Sequence, residues 1–172
     1  MSEDRFGQLV ARMEAGSVAS APDLVGCGAT EIAALETKYQ LRLPRTYRRF
    51  LEVMGHRSGR LFASDHIAVR YRDVLAMTSE IPAAWAVEGP QPPLTFALPA
   101  DTLLIAGRLS QQFEFIRCVG QDDSPVWYFN DWEWRIRQSQ PSILAWLESW
   151  CDEALRAVAD GYFDAHPKGA GP

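Results

Sequence analysis

The chain has 172 residues, 47% of them hydrophobic and 23% charged, which is the balance of one core-forming globular domain and argues against a disordered chain. Its net charge of −5, from 17 basic and 22 acidic residues, argues against nucleic acid as a partner and suits a basic protein. Cys27, Cys118 and Cys151 are scattered with no C-x-x-C pair, and read as reduced, buried thiols of a cytoplasmic protein. The start, Met1-Ser2-Glu3-Asp4-Arg5, is acidic and leads into no apolar run, so neither a signal peptide nor a membrane span is expected.

In chain order, Asp4 to Glu14 reads as a helix with Phe6, Leu9, Val10 and Met13 on one face. Gly16 to Ala29 reads as a loop. A second helix follows, with Thr30 as N-cap, Glu31 in its positive first turn, and Ile32, Leu35 and Tyr39 at helical spacing. In the third, Pro44 suits the first turn, Tyr47, Phe50, Leu51 and Met54 recur at i, i+3, i+4 and i+7, and Gly55 closes the helix as a left-handed residue. His56 to Ser64 is a polar turn. Ile67 to Tyr71 alternates weakly as a short strand, while Arg72 to Met77 can begin a helix.

Thr78 to Ala100 contains five prolines, too many for a regular element, and reads as a long irregular loop with one helical turn over Ala83 to Val87. Leu103 to Ala106 is a buried strand, and Phe113 to Val119 pairs with Val126 to Asn130 as a hairpin across Gly120 to Pro125. A last helix runs from Ser142 to Val158, with Ile143, Leu144, Leu147, Trp150, Cys151, Ala154, Leu155 and Val158 on its apolar face. The expectation is a single α+β domain over residues 1–165, with 166–172 as a frayed tail. An antiparallel or mixed sheet, built mainly from residues 67 to 130, is packed by helices from the N-terminal half and the C-terminal end.

Glu31, Leu35, Glu36, Leu43, Pro44, Tyr47, Phe50, Leu51 and Gly55 form an "E-x-x-L-E … L-P-x-x-Y-x-x-F-L … G" arrangement. Phe113-Glu114-Phe115-Ile116, Asp122-Asp123-Ser124-Pro125-Val126-Trp127-Tyr128 and the helix from Ile143 to Trp150 follow as a second block. Over Thr30 to Leu155 this order resembles the SUKH superfamily, small α+β proteins best known as bacterial immunity proteins, with a eukaryotic branch that regulates cell-wall assembly. The resemblance implies a non-catalytic protein that binds and neutralises a cognate toxin domain, such as a nuclease, or a regulatory adaptor of the same family.

Catalytic patterns are bare. His56, His66 and His166 fit no zinc spacing, and His56 and His66, which flank the glycine turn and could converge, are read as having no nearby cysteine partner. There is no G-x-S-x-G elbow and no phosphate-cradling glycine loop. Gly26-Cys27-Gly28 reads as a loop cysteine, with neither a helix start nor a basic neighbour to activate it. Arg45, Arg48 and Arg49 read as a solvated helix face. No cofactor, metal or catalytic residue is expected. A ligand pocket beneath the Thr78–Ala100 loop is the weaker alternative.

Asp131-Trp132-Glu133-Trp134-Arg135 is the most unusual composition. As a strand continuation it sends both indoles to one face and the charges to the other. The indoles then either cap the sheet beneath the last helix or line a partner surface. On the second reading the recognition surface combines Trp85, Glu88, Asp122, Asp123, Asp131, Trp132 and Glu133, presented by loops from one edge of the sheet.

Overall fold

The computed structural model describes residues 2–63, 66–87 and 94–166. Its centre is a four-stranded antiparallel meander of β5 (Thr102–Arg108), β6 (Gln112–Arg117), β7 (Val126–Asn130) and β8 (Arg137–Gln140), in that spatial order. Alternation gives the sheet two apolar faces. Leu103, Ile105, Ala106, Ile116 and Val126 join the main core, and Leu104, Phe113, Phe115 and Phe129 form a smaller cluster on the other side. A bulge between Leu104 and Ala106 turns both Ile105 and Ala106 towards the main core. Both clusters share one sheet, so the chain is a single α+β domain.

Helices α1 (Ser2–Ala15), α2 (Ala29–Tyr39), α3 (Arg45–Met54) and α5 (Ile143–Ala159) supply the main core. Tyr47, Phe50, Leu51 and Met54 are all buried, as their spacing requires. Helix α5 starts where Ser142 Oγ accepts the Ala145 N–H at 3.0 Å. Phe50, Phe62, Trp146 and Trp150 form its aromatic centre, with Trp146 5.5 Å from Phe62 and edge-on to Phe50 at 6.3 Å. Exposed pairs Arg5–Glu148 and Arg12–Asp152 lie between α1 and α5, each worth about 0–1 kcal/mol. A short α6 (Tyr162–Ala165) follows, and His166 stacks on Tyr162 with ring centroids 4.6 Å apart. The remainder of the expected tail, 167–172, lies outside the described residues.

Several expectations are corrected. Ile67–Tyr71 is no strand: Ala68 forms one bridge to Gly107, and Tyr71 begins α4 (Tyr71–Glu80), which packs along β5. Within the expected irregular loop, Trp85–Val87 is strand β3 rather than a helical turn, paired antiparallel with β4 (Leu94–Phe96). Leu24–Val25 (β1) and Arg57–Ser58 (β2) pair within segments read as loop and turn. Gly28, not Thr30, is the N-cap of α2, and Glu31 reaches back to accept the Gly28 N–H at 2.8 Å. Gly55 is right-handed, at φ −65° and ψ −28°. Its lack of a side chain matters for space, because a Cβ there would sit 2.5 Å from Cys27 Sγ.

Candidate functional site

The proposed surface residues separate into two groups at opposite ends of β7. Asp122 and Asp123 lie in the β6–β7 connection, where they cap helices. The Asp122 carbonyl accepts the Thr46 N–H at 3.0 Å and its hydroxyl at 3.2 Å, at the start of α3. The Asp123 carboxylate accepts the Ser124 N–H at 2.8 Å and the Ile143 N–H at 3.0 Å, at the start of α5. Asp131, Trp132 and Glu133 follow the far end of β7, about 17 Å away for a five-residue strand. The loops therefore do not converge on one edge.

Local hydrogen bonds decide what becomes of the two tryptophans. Buried Asn130 accepts the Glu133 N–H through Oδ1 at 2.7 Å, and the Asp131 N–H donates to the Gln111 carbonyl at 3.1 Å. Residues 131–133 thereby become a turn, which ends the strand alternation expected of them. Trp134 takes a left-handed φ of 52° and lies 6.0 Å from Trp85 and 5.7 Å from Phe96. It packs with the smaller cluster, away from α5. Trp85 is likewise committed, 5.5 Å from Phe129 and 5.7 Å from Phe96. Trp132 stays 53% exposed. Glu88 lies outside the described residues.

A second exposed apolar group stands at the same end, one that the sequence reading missed. Leu109 and Ser110 form the tip of the β5–β6 hairpin with φ of 52° and 56°, closed by Gln111 N–H to the Arg108 carbonyl at 3.1 Å. Positive φ at both central positions is the type I′ pattern, which favours Asn-Gly over a bulky leucine. Leu109 is nevertheless 81% exposed. The Gln111–Asp131 bond ties this tip to the Trp132 turn. Charge here is mixed: Glu133 pairs with Arg137 at 2.7 Å, Arg137 lies over the Tyr128 ring, and Arg135 is exposed.

Two hollows bear on the ligand alternative. The described part of the Thr78–Ala100 segment packs its aromatics directly on Phe129. A cavity of about 90 Å³, lined by Ile67, Arg108, Glu114, Tyr128 and Trp150 among others, is far below the roughly 300 Å³ at which drug-sized pockets begin. An open trough of about 670 Å³ runs between α1 and α3 past Arg45, Arg48 and Arg49. There Arg48 is paired with Glu36 at 2.6 Å, and Arg49 with Glu52 at 3.6 Å.

Glu114, on the cavity wall, accepts the Trp146 indole N–H at 2.8 Å and the Ser139 hydroxyl at 3.1 Å. Burial raises its pKa above the ordinary 4.5, although both hydrogen bonds oppose the shift. A raised folded-state value means that its contribution to stability is present below 4.5 and is lost as pH rises through the folded value. Glu114→Gln keeps an oxygen acceptor for Trp146 and removes the charge. Its Tm should exceed that of the wild type at neutral pH, and the gap should close below the ordinary value. Equal gaps across a pH series of thermal melts would contradict this account.

Cys27, Glu31 and His56, unrelated by sequence spacing, meet at the start of α2. Their ligating atoms lie within 4.8 Å of one another. Cys27 does lie in a loop, two residues before α2, but it is buried there and has His56 beside it, which corrects the view that no cysteine is near that histidine. Burial, and then the Glu31 charge, push its thiol up to about 12. Cys118 and Cys151 are also free and buried.

Among the described residues no helix is long and apolar enough to cross a membrane. Compared with known proteins, the chain matches no family model and no curated sequence.

Proposed function

We propose that this chain is a non-catalytic immunity protein of SUKH type, acting in the cytoplasm by binding a cognate toxin domain and blocking it. The observation that carries the reading is the presence of exposed Trp132 and exposed Leu109 at one end of the sheet, on turns held by backbone hydrogen bonds and by the Asn130 side chain. Large apolar side chains on fixed turns are the makings of a binding hot spot, because little ordering entropy remains to be lost on association. The order of motifs from Glu31 to Trp150 supports the same reading. Cys27, as a buried thiol pushed up to about 12, is a poor nucleophile at neutral pH, which weighs against cysteine catalysis.

The mixed charge around Trp132 also suits a regulatory or scaffolding adaptor, since it selects less sharply for a basic partner. Co-expression with the product of the reading frame immediately upstream separates the two. A stable complex with that product, and protection of cells expressing it, is the expected result. No complex there, together with capture of several unrelated cellular proteins, would replace the toxin by adaptor partners.

A further inference from the structure

We propose that Cys27, Glu31 and His56 form a binding site for a zinc-class divalent cation. The three donors come from three segments: the loop two residues before α2, the first turn of α2, and the residue after Gly55. Their positions are set independently of any ion. The Cys27 N–H donates to the Leu51 carbonyl at 2.8 Å, and the His56 N–H to the Val25 carbonyl at 2.9 Å. Gly55 leaves room for Sγ, since any Cβ there would overlap it. The Gly28 N–H holds Glu31 Oε2 at 2.8 Å, and Tyr71 donates its hydroxyl to the Glu31 carbonyl at 2.7 Å. The Tyr71 ring lies 5.5 Å from the imidazole, edge-on.

Thiolate, imidazole and carboxylate together are the donor set of a borderline-soft ion, which zinc matches and magnesium or calcium does not. Donors at ordinary zinc bond lengths in a tetrahedron stand about 3.5 Å apart. His56 Nε2 now lies 2.9 and 3.0 Å from the Glu31 oxygens, so replacing that hydrogen bond by two metal bonds needs only a small opening. The thiol proton leaves to solvent as the sulfur–metal bond forms. Side chains of Glu31 and His56, 40% and 38% exposed, give the ion its entry path and leave a fourth position for water. The site would tie the β1–α2 junction to the end of α3. It is independent of the Trp132 surface.

The test titrates Zn²⁺ into the reduced, metal-free full chain against a chromophoric chelator, and follows Co²⁺ in parallel by absorption. One ion per chain, a raised Tm and a cobalt–thiolate charge-transfer band are expected. Cys27→Ser should abolish the band and weaken zinc binding by about 100-fold or more, since changes to mere supporting residues cost 10–100-fold. His56→Gln, which leaves the buried thiol in place, should keep the band and still lose at least about tenfold in affinity. Absence of the band in the wild type, or zinc affinity unchanged in both variants, overturns the proposal. His56→Gln decides the matter should Cys27→Ser fold poorly.

Discussion

Trp146→Ala is expected to remove about 3–5 kcal/mol of folding stability, the largest loss for any single side chain of the α5 face. Trp146 is 1% exposed and lies between Phe50 and Phe62, so truncation opens a cavity lined by stiff aromatic neighbours that cannot collapse into it. It also strips Glu114 of its indole donor, leaving a buried carboxylate with Ser139 as its remaining hydroxyl partner. Domains of this kind have only about 5–15 kcal/mol in hand, so the variant should sit close to the unfolding threshold. Urea denaturation should show a much lower midpoint at unchanged slope. Trp146→Phe separates the two contributions: it keeps most of the volume, loses the hydrogen bond, and should cost about 1–3 kcal/mol. Should the alanine and phenylalanine variants be equally stable, packing around Trp146 would not be what stabilises this face.

What was legible in the chain were the segments whose apolar pattern matches their burial. Tyr47, Phe50, Leu51 and Met54 identified α3 by helical period, and Leu103 to Ala106 identified β5 as an unbroken apolar run buried on both faces. Strand β8 was illegible for the converse reason. Arg137, Gln138 and Ser139 are exposed, so the strand is specified by its ladder to β7 rather than by any apolar pattern. The β3–β4 hairpin was hidden by prolines around it, which mark its limits more than they forbid it. Gly55 was placed correctly at the end of α3 for the wrong reason: close approach of Cys27 accounts for it, a contact that no local signal encodes.

The candidate surface was half legible. Composition drew attention to Trp132 and Trp134, but their divergence follows from Asn130, whose side chain ends the strand by accepting the Glu133 N–H. The Asn130-Asp131 pair is an available turn signal that competes with the alternation expected of residues 131–135. Asp122 and Asp123 were read as part of the recognition surface; that they meet the starts of α3 and α5 needs the tertiary fold. Leu109 carried no signal, because a leucine between an arginine and a serine reads as the end of a strand. The cluster of Cys27, Glu31 and His56 was equally invisible, since 25 residues separate Glu31 from His56.

Trp132→Ala should weaken partner binding by about 2 kcal/mol or more, close to thirtyfold in Kd, while leaving folding stability within about 0.5 kcal/mol. Half of the residue is in solvent, and the turn beneath it is held by hydrogen bonds to the Asn130 side chain and the Gln111 carbonyl that the substitution does not touch. Leu109→Asn probes the same surface with the opposite sign in stability. Asparagine accepts the left-handed backbone that costs leucine about 1 kcal/mol, so this variant should melt higher and still bind more weakly. A site kept for recognition has that signature: its side chains are costly or neutral to the fold and valuable to the complex. Because Arg135 and Arg137 stand among Asp131 and Glu133, the losses should appear in koff with shallow salt dependence, not in kon. Surface plasmon resonance at two ionic strengths against the partner, with thermal melts of each variant, reads all of these quantities. Should Trp132→Ala bind as tightly as the wild type, this end of the sheet is not the recognition surface, and the fold would have to offer its partner another face.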